Sequence, residues 1–373
     1  MRIAYFTEWS PYESSGVLKK LIGQVRAWRE LGHEATLFTM GPRRDAPFAL
    51  DFAELGEAFG AIDQRSLEKY RFARLGFANK IASAAMVAKR LREYRPDVIY
   101  YRQQGLWYPG LGSILSAAPS VLEVNTIEEA EAGRWGKAYA LAYRLTGDRA
   151  FELTDAQVCV TDEIAKHYAR FGKPACVIAN SLDQAPRALA PAANAAPAFV
   201  FVGSATVGAD SWHGVDKIVA LARALPESAF NVVGMHAADL GIADVPANMR
   251  FHGPLHGEAL IDVYRVSDIA ISTLALHRLG MAEACPLKTR EYLIHGLPAI
   301  VGYSEAEEGL AGVDYVLDIG NHEGNVAQSI EAIRAFSDRW NGRRVTANLD
   351  FLTSRFKAQQ RIDFFERILE TSR

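Results

Sequence analysis

Two doubly wound, Rossmann-like α/β domains are the fold class that this sequence predicts, and three observations carry the prediction. The first forty residues alternate strand, helix and strand; an alanine- and proline-rich stretch interrupts the chain near its middle; and the same rhythm restarts beyond it. A strand–helix–strand unit forces its strands parallel, because a parallel pair needs a long crossover. Arg2 to Thr7 (RIAYFT) is an apolar run suited to a buried strand. In the segment that follows Ser14-Ser15-Gly16, Val17, Leu18, Leu21, Ile22, Val25 and Trp28 recur at helical spacing, and Gly32 supplies a stop. Glu34 to Thr39 (EATLFT) is strand again, and Val98–Tyr101, Ser120–Val124, Ala156–Val160 and Ala175–Ala179 continue the series.

Residues 184 to 198 (QAPRALAPAANAAPA) carry one charge and read as a linker. After it, strands are expected at 199–202, 230–234, 249–252, 269–273 and 299–301, and helices near 215–225, 258–266 and 286–295. The expected organisation is therefore an N-terminal domain over 1–183, a linker over 184–198, a second domain over 199–350, and a last helix over 351–373 returning to the first domain. Ligands of such sheets sit beyond the carboxyl ends of the strands, and the cleft between the two domains is the expected site.

Composition narrows the function classes. The 373 residues are 49% hydrophobic and 23% charged, with a net charge of -3, so no global basic field points to nucleic acid. Cys159, Cys176 and Cys285 have no metal-binding spacing and read as reduced thiols, which implies a cytoplasmic protein. The N-terminus turns polar too early for a signal peptide. The longest uncharged run, residues 105 to 122, holds two prolines and three glycines and is not expected to span a membrane. Residues 67–95 hold eight basic residues against two acidic ones, interleaved with Phe72, Leu75, Phe77 and Ile81. They read either as a solvated helix with an apolar core side or as a peripheral contact with an anionic inner-membrane face. His33, beside a helix-stopping glycine, reads as a turn residue.

The stretch ACPLKTREYLIHGLPAIVGY, residues 284 to 303, carries the chemistry. Proline is favoured at a first helical position, which sets the helix start at Pro286, makes Cys285 the cap and leaves Glu283 on a loop. Gly296 and Pro298 end it. A helix N-terminus attracts anions, phosphate above all. Lys288 in the first turn opposes the helix dipole unless a bound phosphate supplies negative charge. Glu291 is placed to accept hydrogen bonds from a ribose diol, and Glu283 from a second sugar. The alternative reading is a capped structural helix with incidental glutamates.

The segment GMAEACPLKTREYLIHGLP resembles the signature of retaining glycosyltransferase family 4 (group 1), of GT-B fold: glutamate, seven residues, glutamate, then a small-x-G-x-P tail. Gly16 resembles the family's glycine loop, PDVIYYR at 96–102 a further segment, and the runs at 156–183, FVFVGS, NVVG and MRFHGPLHGEALIDVYRVSDIAIS match in order. The resemblance spans roughly residues 1 to 340. It implies transfer of a sugar from a nucleotide diphosphate sugar, UDP- or GDP-linked, with retention. The implied acceptor is a saccharide or a lipid-linked saccharide, in surface polysaccharide or glycolipid assembly, and no separate cofactor is implied. Glu283 would contact the donor sugar and Glu291 the ribose. Cys285, Pro286 and Leu287 would face the sugar and diphosphate, Gly253 and Leu255 would lie near the base, and Gly16 near phosphate or acceptor. No D-x-D motif occurs, so no metal-bridged donor is expected.

Two departures stand out. The family's arginine and lysine that grip the diphosphate are replaced by Gly203-Ser204 and Trp212-His213-Gly214; Lys288 and His213 are the expected substitutes, with Lys217 a third. Asn125 stands where many members have a histidine, with Glu123, Glu129 and Arg102 as acceptor-side candidates. The leaving phosphate can itself deprotonate the acceptor, so the missing histidine does not forbid catalysis. Two rivals remain: a non-catalytic homologue that binds nucleotide sugar or a partner enzyme, and a dehydrogenase. The latter needs G-x-G-x-x-G after the first strand, where the chain reads EWSPYESSGV.

Overall fold

Strand β1 (Arg2–Thr7) is buried along its length and lies at the heart of a six-stranded parallel sheet. The order is β2 (Glu34–Thr39), β1, β3 (Val98–Arg102), β4 (Ser120–Val124), β5 (Ala156–Cys159) and β6 (Ala175–Val177). The computed structural model describes residues 1–9, 16–39, 73–103, 105–132, 136–203, 211–241 and 244–371. Within it the chain divides into two units: Met1–Asp183 with Ser354–Arg373, and Gln184–Thr353.

The first unit's core follows from the helical spacing of Gly16–Glu30. Leu18, Leu21, Val25 and Trp28 face the sheet residues Ile3, Tyr5, Leu37 and Tyr100. The last helix, Ser354–Thr371, completes that core with Ala358, Ile362, Phe365 and Ile368. Phe365 lies 5.9 Å from Trp28 and 5.4 Å from Tyr100, ring centre to ring centre. Burying such a side chain contributes about 1.5–3 kcal/mol, so the helix is bound to this unit by its apolar face. The helix Ala73–Tyr94 buries Ala84, Val87, Ala88 and Leu91 and exposes Lys89, Arg90 and Arg92. Residues 67–72 of the basic segment, and the side chains of 73–79, lie outside the described residues. Among the described residues, no helix is long and apolar enough to cross a membrane.

The second unit repeats the logic. Its sheet runs β14 (Val316–Asp318), β12 (Ala299–Val301), β10 (Ile269–Ile271), β7 (Ala198–Val202), β8 (Ala229–Val233), β9 (Met249–Phe251), and every recorded pair in it is parallel. From β7 the chain winds outward to β8 and β9, then returns to the other side of β7 as β10. The β7–β10 boundary is thus the topological switch point, where helices on opposite faces diverge and leave room for a ligand. A parallel pair of two residues each, β11 (Glu283–Ala284) and β13 (Ser304–Glu305), stands outside the main sheet. The alanine- and proline-rich stretch is not a free tether. Arg187 and Leu189 donate backbone hydrogen bonds to the carbonyls of Ile294 and His295, at 2.7 and 3.0 Å, and Leu189 packs on the core.

Candidate active site

The carboxyl edge at the switch point is opened by glycine. Gly234 follows β8 with φ 94°, and a Cβ there would stand 1.8 Å from the carbonyl oxygen of Gly203. Gly253, after β9, has φ 67°, and its Cβ would meet the His236 ring at 2.4 Å. Only glycine permits both the left-handed backbone and this close approach. The strand ends are therefore drawn together by Gly203 N–H to Val233 O and Gly234 N–H to Gly253 O, at 3.0 and 2.8 Å.

The helix Leu287–Ile294 is aimed at this edge and fixed from several directions. The Tyr292 hydroxyl accepts the backbone N–H of Val202 at the end of β7, at 2.8 Å. Thr289 joins Ser272 and Tyr303 in a buried hydroxyl network, at 2.7 and 2.8 Å. Arg290 is fully buried and paired through both guanidinium nitrogens with Glu305, at 2.9 Å for one of the two bonds. A fork-to-carboxylate pair of this kind fixes orientation as well as charge. The helix begins one residue later than the sequence suggests. Pro286 is the cap, with extended backbone (φ −69°, ψ 136°), and Leu287 is the first helical residue. Glu283 lies on β11 rather than on a loop, because it pairs in register with Ser304.

With the helix fixed, Lys288 stands over the end of β7. Its Nζ lies 4.3 Å from the Phe201 ring centre, 5.9 Å from that of Trp212, and 3.3 Å from His213 Nδ1. Burial pushes its ammonium down to about 7. The residue keeps partial exposure, so a ligand can reach it. His213 is buried in the turn before the helix Val215–Ala224. Glu291, one turn further along, is half-buried beside Tyr264; burial first and the Glu291 carboxylate second push that hydroxyl well above its ordinary value. An ammonium that is ion-paired with no carboxylate among the described residues, at a helix N-terminus and a glycine-lined strand edge, is suited to an anion.

The first unit has a second charged cluster, at the carboxyl end of β4. The Glu123 side chain is fully buried and accepts from Lys20, Tyr5, Arg102 (2.9 Å) and Asn125 (3.0 Å). Burial alone would raise this carboxyl, but Lys20, Arg102 and Arg361 hold it well below the usual carboxylate range. Lys20 Nζ donates also to Asn125 (3.0 Å) and Asn180 (2.6 Å), which uses all three of its N–H groups. Burial pushes this lysine down to about 8 against the pull of Glu123.

Comparison with known proteins was made on this basis. Residues 19–185 match the family model described as Glycosyltransferase Family 4. The chain is similar in structure to a glycosyltransferase from Rickettsia africae, at 14% identity and TM-score 0.65 over 99% of each chain. It is similar to the catalytic domain of starch synthase IV from Arabidopsis thaliana, bound to ADP and acarbose, at 13% identity and TM-score 0.67, again over 99% of each chain. A pneumococcal O-GlcNAc transferase in complex with UDP and GlcNAc gives 11% identity, 99% coverage of each chain and TM-score 0.64. At these identities the structural likeness is one of fold. No curated protein sequence matches. The chain has the fold of GT-B glycosyltransferases, and residues 19–185 match one of their family models.

The residues named from sequence fall into distinct places. Lys288 and His213 are brought together, and Glu291 follows on the same helix. Cys285 is buried, while Pro286 and Leu287 shape the helix start. Gly253 closes the β8–β9 edge and Leu255 packs against the core beside it. Lys217 is a correction: its ammonium is bonded to the His322 carbonyl (2.8 Å) and Asn325 Oδ1 (2.9 Å), so it braces a loop. Glu123 is another: fully buried with its oxygens occupied, it is an internal counter-ion rather than a ligand for acceptor. Arg102 and Asn125 are tied to it, and Glu129 is held by Arg170 and Tyr168 at 2.8 and 2.9 Å. Gly16 begins the first helix and is exposed; Ser204 lies outside the described residues. Sequence reasoning missed Arg290 and Glu305. A charged residue inside an otherwise apolar, short helix was the available signal for the first; nothing marked its partner.

Proposed function

We propose that this protein is a glycosyltransferase that moves a sugar from a nucleotide diphosphate sugar to a saccharide or lipid-linked acceptor, with retention and without a metal ion. The observation that carries the reading is the Lys288 ammonium, held beside His213 at the N-terminus of the helix Leu287–Ile294 and ion-paired with no carboxylate among the described residues. In that reading the diphosphate is the missing counter-charge. As the sugar departs, negative charge grows on the leaving phosphate, and Lys288, His213 and the helix dipole stabilise it most at that moment. The acceptor attacks from the face the phosphate leaves, and a phosphate oxygen takes its proton. Glu291 receives the ribose hydroxyls and Glu283 the donor sugar's.

The test is direct. The chain is incubated with UDP- and GDP-sugars and candidate oligosaccharides; nucleoside diphosphate release and the anomeric configuration of the product are measured, with and without EDTA. Retained configuration and EDTA-resistant turnover are expected. Inverted product removes the retaining assignment, and turnover restored only by magnesium or manganese removes the metal-free one. The absence of the family's basic pair keeps one second reading: a homologue that binds the nucleotide sugar without turning it over.

A further inference from the structure

Arg278 lies in the short helical turn Leu276–Leu279, which follows β10 and precedes β11. Nη1 of its guanidinium donates to the Ser211 carbonyl (3.2 Å) and to Asp216 Oδ1 (2.9 Å). Nη2 donates to Asp216 Oδ2 (2.7 Å) and Glu323 Oε1 (2.5 Å), and Nε to Glu323 Oε2 (3.2 Å). The five N–H groups of an arginine are thus all used. Two parallel bonds to Asp216 fix the plane of the fork as well as its position. The side chain is 18% exposed, so these pairs are partly shielded from the water and salt that weaken a surface bridge.

The segments that this fork joins are those that carry the candidate site. Ser211 opens the turn closed by Gly214 N–H at 2.9 Å, and Asp216 stands in the first turn of the helix Val215–Ala224, so the two flank His213. The main chain stitches the same segments together: Leu274 N–H donates to the His213 carbonyl and Ala275 N–H to the Trp212 carbonyl, each at 3.2 Å. Glu323 comes from the loop after β14. From that loop Asn321 holds both ends of residues 277–281, accepting the His277 N–H and donating to the Met281 carbonyl, each at 2.8 Å. Two residues beyond Met281 stands Glu283. Arg278 therefore connects the His213 turn on one side with the approach to Glu283 on the other.

We propose that Arg278 is a positioning residue for sugar transfer: it locks the His213 turn and the segment leading to Glu283 into one rigid cradle for the donor. The inference rests on the donor reading above, in which His213 stands by the diphosphate and Glu283 by the sugar, the two sides of the bond that breaks. Arg278 itself touches neither, because its N–H groups are spent within the protein. Groups on the two sides of a breaking bond must be held to within about 0.5 Å of the productive geometry. Loosening the cradle costs rate more than affinity, because the ribose contact at Glu291 lies on a separately braced helix and is untouched.

The experiment is steady-state kinetics with UDP- and GDP-sugars, and calorimetry with UDP and GDP, on the full chain. Wild type is compared with Arg278→Lys, Arg278→Met and Asp216→Asn at a temperature where denaturation curves show the proteins folded. Arg278→Lys keeps the charge but cannot span Ser211, Asp216 and Glu323 at once. Both Arg278 variants are expected to lower kcat about tenfold or more, with nucleoside diphosphate affinity changed less than about threefold. Asp216→Asn is expected to lower kcat in the same sense, and adding it to Arg278→Met is expected to cost nothing further, since both break one joint. Where Arg278→Met fails to fold, Arg278→Lys and Asp216→Asn decide the matter by the same split. Wild-type kcat in the folded variants overturns the positioning role alone. Turnover and affinity that fall together with the folded fraction also overturn it, leaving a bridge that only stabilises. Absence of wild-type turnover overturns the transfer reading, and this inference with it.

Discussion

Lys20 and Lys288 are both largely removed from water, and their surroundings could hardly differ more. Lys20, in the first unit, meets a carboxylate and two amide oxygens, one for each of its N–H groups. Lys288, in the second, meets two aromatic rings and one imidazole. Burial depresses both, to about 8 and about 7. The contrast teaches how to separate structure from function when both sites are rich in charge. A buried charge that is saturated internally has no capacity left for a ligand, whereas one ion-paired with no carboxylate among the described residues is a candidate for completion by a ligand.

The largest effect should come from breaking the saturated cluster. Lys20→Met takes from the buried Glu123 its closest cation, leaving Arg102 and Arg361, and strips Asn125 and Asn180 of a donor, and is expected to cost about 3–5 kcal/mol of stability, read by chemical denaturation. A loss under 1 kcal/mol would show that the cluster is not a structural unit.

Lys288→Met should do the reverse. It is expected to lower kcat on the order of a hundredfold, as removal of a donor to a developing charge does, with no loss of stability. A lysine whose folded-state pKa is depressed leaves the unfolded chain holding more protons between about 7 and its ordinary value. Its contribution therefore makes stability rise with pH across that window, and Lys288→Met should remove the rise. Wild-type kcat in this variant, with His213→Ala inactive, would transfer the phosphate role to the histidine.

Glu291→Ala is a smaller perturbation. It removes one charged hydrogen-bond acceptor from the bound ribose and is expected to weaken nucleoside diphosphate binding by about 1.5–3 kcal/mol. Unchanged affinity by calorimetry would detach this carboxylate from the ribose. The smallest expected effect is none: EDTA should leave turnover intact, and its abolition would bring a metal into the second unit's chemistry.

The sequence by itself determined the alternation of strands and helices, because that information is local. The apolar runs at Arg2–Thr7, Ser120–Val124 and Ala299–Val301, and the helical spacing of Leu18, Leu21, Val25 and Trp28, each specify an element without reference to distant residues. The helix carrying Lys288 and Glu291 was likewise legible, to within one residue at its start. What only the tertiary structure decided is which charges face each other. Lys20 and Glu123 stand 103 positions apart, Arg290 and Glu305 lie on a helix and a two-residue strand, and Lys288 reaches His213 across 75 positions. No periodicity encodes such pairs, since each exists only where β-strand register and helix packing bring two side chains within hydrogen-bond distance. That is why Glu123 and Lys217 read as site residues from sequence and prove to be internal braces. It is also why the approach of Lys288 to His213 becomes visible only in the folded chain.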